Sequence, residues 1–238
     1  MRTLPTIALF AAATTLWSCD HVKGTGNVER RPLTVEAFHG IQVEGSMDVV
    51  LQKGPQRVEV AAQRNIADLV TTEVRNGIWT IATSKGYSTD KDFVIYITVP
   101  VIDEVVVNGS GNVKADDAYA AGRVKLAIAG SGDLDLAFEA NAIDVDIHGS
   151  GDVRLSGSCG KLSTSIAGSG DVNARGLRAE NADVRTAGSG DVLLTVTGSL
   201  DANIAGSGDI SYAGSPKKVN SNVAGSGEVR QVSTGGRL

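Results

Sequence analysis

Between Gly109 and Glu228 one five-residue phrase occurs seven times: Gly-Ser-Gly, an acidic residue or its amide, then a branched apolar residue. The copies start at Gly109, Gly130, Gly149, Gly168, Gly188, Gly206 and Gly225, so successive starts lie 21, 19, 19, 20, 18 and 19 residues apart. So steady a period marks a repeat architecture, in which each unit covers its apolar face only by stacking on its neighbours. A propeller blade needs about four strands and roughly 40 residues, twice this length. A single coil of two or three short strands fits. The expected fold is all-β: a right-handed parallel β-solenoid of about 19 residues per coil, preceded by a less regular β segment.

The alternation of side chains supports this. One residue after the acidic position stand Val113, Leu134, Val153, Val172, Val192, Ile210 and Val229. Five before it stand Val107, Ile128, Ile147, Ile166, Ile204 and Val223, with Thr186 breaking the column. Polar residues interleave, as in the column Lys125, Asp144, Ser163, Asp183, Asp201 and Asn220. Period-two alternation is the mark of a strand with one buried face. Each unit therefore supplies at least two strands, joined by the Gly-Ser-Gly corner and by a looser turn such as Ser156–Gly160 or Thr197–Ser199. Val153, Val172 and Val192 are expected to form one interior file.

The corner residues have a structural reading. Glycine bends without a Cβ clash, and an Asp or Asn side chain accepts hydrogen bonds from turn amides. A second reading makes Asp133, Asp152, Asp171, Asp191 and Asp209 a Ca²⁺ ladder, since like charges near 5 Å apart repel unless bridged or screened. The nine-residue spacing of known glycine-aspartate Ca²⁺ turns is absent, so no cofactor is expected and Ca²⁺ is the lesser alternative.

Residues 1–18 read as a signal peptide: Arg2 is followed by the apolar run Leu4–Leu16, too short to span a bilayer. Leu16-Trp17-Ser18-Cys19 resembles a lipobox, which implies cleavage before Cys19 and acylation of that residue. Residues 19–32 then form a flexible tether, with the irregular β segment over 33–105, the regular coils over 106–232 and a polar tail over 233–238. The other cysteine, Cys159, has no partner, so stacking and not a disulfide must hold the coils. A net charge of −5 gives no electrostatic case for nucleic acid.

Within the opening segment Glu44-Gly-Ser-Met-Asp48-Val49 is a degenerate corner phrase. Runs at 48–51, 58–61, 79–82 and 93–99 read as strands, 65–70 as a short helix or turn opening at Asn65, and 85–92 as a loop. Phe38-His-Gly-Ile41, Val43, Asp48-Val-Val-Leu51 and Gly54 resemble the GIN-domain family, as do Asn76-Gly-Ile-Trp79-Thr-Ile81, Val99-Pro100 and Gly109-Ser-Gly-Asn112. That family is associated with the heads of autotransporter adhesins. The resemblance implies an exported β-helical protein of Gram-negative bacteria, often a lipoprotein, and brings no catalytic residues. No membrane barrel is recognisable, so a complete autotransporter is not expected.

Chemistry is sparse. His21, His39 and His148 are far apart in sequence, and His148 fills a slot that is Ala in most copies. Ser-Gly pairs lack the strand-turn-helix setting of a nucleophile elbow. Some β-helices cleave acidic polysaccharides, and Asp144, Asp146, Asp183, Asp201, Arg154 and Arg185 are the outward candidates for such work; they are spaced like a solvated wall. The expectation is a non-enzymatic cell-envelope lipoprotein, held to the membrane through Cys19. Its wall would contact an envelope protein or glycan; Asp20 leaves the choice of inner or outer membrane open. A self-associating structural element is the alternative, and a polysaccharide-active enzyme the lesser one.

Overall fold

The computed structural model describes residues 21–233. The expected signal peptide, Cys19 and the expected polar tail after Ser233 lie outside the described residues. Nine strands and one helical turn precede the regular coils: β1 (His21–Lys23), β2 (Val28–Leu33), β3 (Gly40–Gly45), β4 (Asp48–Lys53), β5 (Arg57–Gln63), α1 (Arg64–Ala67), β6 (Val74–Arg75), β7 (Ile78–Ile81), β8 (Gly86–Ser88) and β9 (Val94–Val99). The coils are built from β10 (Glu104–Gly109), β11 (Val113–Gly130), β12 (Leu134–Gly149), β13 (Val153–Gly168), β14 (Val172–Gly188), β15 (Val192–Gly206), β16 (Ile210–Ala213), β17 (Lys218–Gly225) and β18 (Val229–Gln231).

The coils stack in parallel and in register. Val153 pairs with Val172 and Val172 with Val192, and all three are buried in one file. The columns two and four residues before each corner are likewise interior, from Val105, Leu126 and Val145 to Ile166, Val184 and Ile204. One apolar core runs from Phe38 to Ile210. The expected looser turn does not interrupt hydrogen bonding, so each coil from β11 to β15 is a single bent strand of 15 to 18 residues. Unequal coil lengths are absorbed at the start of that bend, where register shifts fall at Lys114/Ala118, Arg154/Ser156 and Ala174/Arg178. The glycine corners stack without any shift.

The opening segment belongs to the same stack, but out of chain order. β3 pairs with β7 on one side and β10 on the other; β4 pairs likewise with β9 and β11. The chain thus lays down a coil at Gly45, passes beneath it through β7 and β9, and then returns above it. Gly109 consequently sits on Gly45. Trp79, Met47 and Ile66 fill this end, with Phe38 packed on Trp79 at 5.5 Å between ring centroids.

Three local expectations are corrected. Residues 21–32 are not a free tether. β1 pairs with β8, inside the expected 85–92 loop, and β2 pairs antiparallel with β5. Their side chains are mostly exposed, so no apolar alternation announced them; the backbone ladder fixes them, helped by Arg30 to Glu59 at 2.9 Å. The helical turn is capped at Gln63, without a side-chain cap. Asn65 instead clasps the N-terminal strand, donating to the Lys23 carbonyl at 2.8 Å and accepting from the Thr25 amide at 3.0 Å.

Candidate binding wall

The corner phrase positions the wall, and both of its glycines are forced. The first has φ between 138° and 148°, a region L-residues rarely enter. The second is forced by stacking alone: a Cβ on Gly132, Gly151 or Gly170 would lie 2.1–2.2 Å from the carbonyl oxygen of the equivalent glycine one coil below. The serine between them is exposed, and its amide donates to the first glycine of the preceding coil, as Ser131 does to Gly109 at 2.9 Å.

The acidic residue ties coil to coil. Asp48 accepts from the amide of Asn112, Asn112 from Asp133, Asp133 from Asp152, Asp152 from Asp171, Asp171 from Asp191, Asp191 from Asp209 and Asp209 from Glu228, all at 2.7–3.0 Å through Oδ1. A side chain of Asp length reaches one rung ahead. Glu228 stands on the last described rung, where no further amide needs that reach. A hydrogen bond from a backbone amide to a charged acceptor contributes about 1.5–3 kcal/mol and offsets the repulsion along the file.

One carboxylate oxygen of each Asp is committed to this bond, and Asn112, Asp133, Asp152 and Asp171 line one side of a cleft of about 490 Å³. Its opposite rim is Lys114, Asp135, Arg154 and Asn173, side chains of mixed sign one rung apart. A second open cleft of about 580 Å³ lies over the neighbouring face, where Lys125 meets Glu104 at 2.8 Å, Arg123 meets Asp144 at 2.6 Å and His39 meets Asp103 at 2.7 Å. The His39–Asp103 contact joins residues 64 apart and had no sequence signal. Asp183 is paired by Arg185 at 2.9 Å, and Asp201 accepts from Asn220.

Of the remaining reactive groups, Cys159 and Tyr119 lie inside. Cys159 is a buried free thiol, pushed up to about 11 by that burial. Tyr119 is pushed up to about 12 by burial and by the negative charge of Asp117, and packs near Phe138 with both rings fully buried. Tyr212 is half-buried. His148 is exposed on a file of alanines. Among the described residues no group of three or more His, Cys, Asp and Glu is placed to hold a metal ion, and no helix is long and apolar enough to cross a membrane. The chemistry offered by the wall is an array of carboxylates, amides, hydroxyls and guanidinium groups at rung spacing, roughly 4.8 Å.

Several solved structures share the fold. A putative adhesin from Bacteroides fragilis NCTC 9343 superposes with a TM-score of 0.84 at 22% identity, over 89% of this chain and 100% of that one. A putative adhesin from Parabacteroides distasonis ATCC 8503 gives 0.73 at 27% identity, over 90% and 100%. A putative lipid binding protein from the same organism gives 0.73 at 24%, with the same coverage. No curated protein matches the chain. The stacked Gly-Ser-Gly-Asp coils over a GIN-type opening segment have a counterpart in one family model, which matches residues 37–216: the chain belongs to the family described as "Putative auto-transporter adhesin, head GIN domain".

Proposed function

We propose that this protein is a non-enzymatic, lipid-anchored component of the Gram-negative cell envelope, whose solenoid wall is an adhesion-type binding surface. One observation carries the reading: the corner file repeats a Ser hydroxyl and an acidic or amide side chain rung after rung, beside files of polar residues of mixed sign, on a backbone locked by seven inter-coil bonds, six to Asp carboxylates and one to the Asn112 amide oxygen. A rigid array of this kind suits an extended, repetitive ligand such as a surface glycan, or the flat face of an envelope protein. Preorganisation lowers the ordering cost of binding such a ligand. The family description and the adhesins among the similar structures support the surface role. The lipobox at Cys19 supports the anchor.

The test has two arms. The chain is screened against arrays of envelope glycans and proteins, and any binder is re-measured with Arg154→Glu and Asp135→Lys. Binding that these rim changes weaken supports the wall. Ligands indifferent to both changes, or none at all, count against it. Mass spectrometry of the protein isolated from cells, beside Cys19→Ala, reads the anchor: an unmodified Cys19 removes it.

A further inference from the structure

The last described rung differs from those beneath it in its exposure. Val219 and Val223 continue columns that are buried in β11 to β15, yet they are 39% and 41% exposed, because among the described residues β17 pairs only with β15. The hydrogen-bonding direction of that edge follows from its register. The Ser226 amide donates back to Gly206, as does Lys125 to Asp103 at the position equivalent to Asn220. Alternate residues of a strand point their N–H and C=O to opposite sides. The backbone groups of Val219, Ser221 and Val223 therefore face the open end.

Three features make this edge complementary to itself. Val219-Asn-Ser-Asn-Val223 reads the same in both directions. Two such strands laid antiparallel about Ser221 put Val219 opposite Val223 of the second copy, and Asn220 opposite Asn222. Ser221 falls opposite its own counterpart, at a hydrogen-bonded site of the antiparallel ladder. Charge is also missing from the centre of the strand: the two outward positions are Asp144 and Asp146 in β12 and Asp183 and Arg185 in β14, but Asn220 and Asn222 in β17, as they are Ser163 and Ser165 in the covered β13, and the one charge of β17 is Lys218 at its start. Exposed edges are ordinarily guarded by such charges.

We infer that β17 is a docking edge for a second copy of this chain, giving a tail-to-tail dimer about a two-fold axis through Ser221. Val219, Val223 and the half-buried Val229 then continue the core of one copy into the other. The edges at the opposite end of the stack are guarded, β6 by its length of two residues and β2 by Glu29, Arg30, Arg31 and Pro32, so association is expected to stop at two. The N-terminal strands of the two copies point away from each other. That arrangement links molecules held by their N-termini on facing surfaces; this use rests on the proposed function, whereas the pairing does not.

Sedimentation of the full chain over a wide range of concentration is the measurement, with thermal unfolding as the control for folding. The wild type is expected to double in mass. Asn220→Lys with Asn222→Lys sets like charges opposite each other across the axis, while Lys at 220 still meets Asp201 within its own chain. It should weaken pairing by about tenfold or more at unchanged melting temperature. Asn220→Lys with Asn222→Asp sets opposite charges across the same axis and should pair at least as well as wild type. A strictly monomeric wild type overturns the inference. So does open-ended growth, equal behaviour of the two double variants, or a dimer that forms only when residues 234–238 are removed, since the chain's own terminus would then be the occupant.

Discussion

Each rung rests on contacts too close for ordinary side chains. Gly170 has no unusual φ, but a methyl group there would meet the Gly151 carbonyl oxygen at 2.2 Å and Ile147 Cγ2 at 3.0 Å, and neither backbone nor packed core yields. Gly170→Ala is expected to cost about 3 kcal/mol in denaturant unfolding. Gly122→Ala, where nothing lies within 4 Å, should be neutral or stabilising by about 0.5 kcal/mol. Equal effects at the two sites would refute the stacking account. Interior hydroxyls offer the reverse case. Thr186 stands between Ile166 and Ile204 in the stack, buried, with its Oγ1 unpartnered. Thr186→Val keeps the shape, removes the orphan and should stabilise by about 1 kcal/mol.

At the scale of elements, the corner file and the N-terminal clasp make separate predictions. Asp152→Asn preserves an Oδ1 acceptor for the Asp171 amide, as Asn112 already does for Asp133, and relieves charge along the file. It should leave stability level or slightly raised at low salt, whereas Asp152→Ala strands that amide and should cost about 1–2 kcal/mol. The clasp of β2 on β5 turns on Glu59. Partial burial raises its carboxyl, but Arg30 and Arg57 outweigh that and hold it below its ordinary 4.5. A depressed carboxyl contributes stability that is present above its unfolded value and lost as pH falls through the folded one. Acid unfolding below about pH 4.5 should thus be shallower in Glu59→Gln than in wild type. The two clasps also differ in how far the sequence disclosed them. The corner phrase was legible because one residue pattern meets one geometric need seven times. β2 was not, because its residues face solvent on an edge and its partner lies 29 positions away, at Glu59 for Arg30. The same blindness covered the order of the first coils: Gly45 was readable as a corner, but not that a later segment would slide beneath it. At the wall, the acidic file was legible residue by residue, whereas the His39–Asp103 pair depended on that long return and was not.

For the whole molecule, the stack has an asymmetry that its uniform repeat conceals. The fully buried aromatic side chains Trp79, Tyr119 and Phe138, and the buried Met47, all lie at or before residue 138. Beyond it the interior is aliphatic, with small residues at Ala174, Ala179, Ala182 and Ala202, and it ends on the exposed rung of β17. In a structure whose coils touch only their neighbours, the free energy of opening a rung is the sum of the interfaces lost between it and the nearer free end. The N-terminal end is well filled by Trp79, Met47 and Ile66; the other is open and thin. Opening should therefore proceed from β17 and β18 inward through β15 and β14, and not from both ends at once. Native-state hydrogen exchange, read at dilutions where copies are apart, measures this directly. Amide protection is expected to rise steadily from Asn220 through Asp201 and Asp183 to Asp144, and to stay high through β10 and β3. Protection of β17 equal to that of β12 would mean that the coils open as one unit, and neighbour-by-neighbour stacking would then not describe how this molecule holds together.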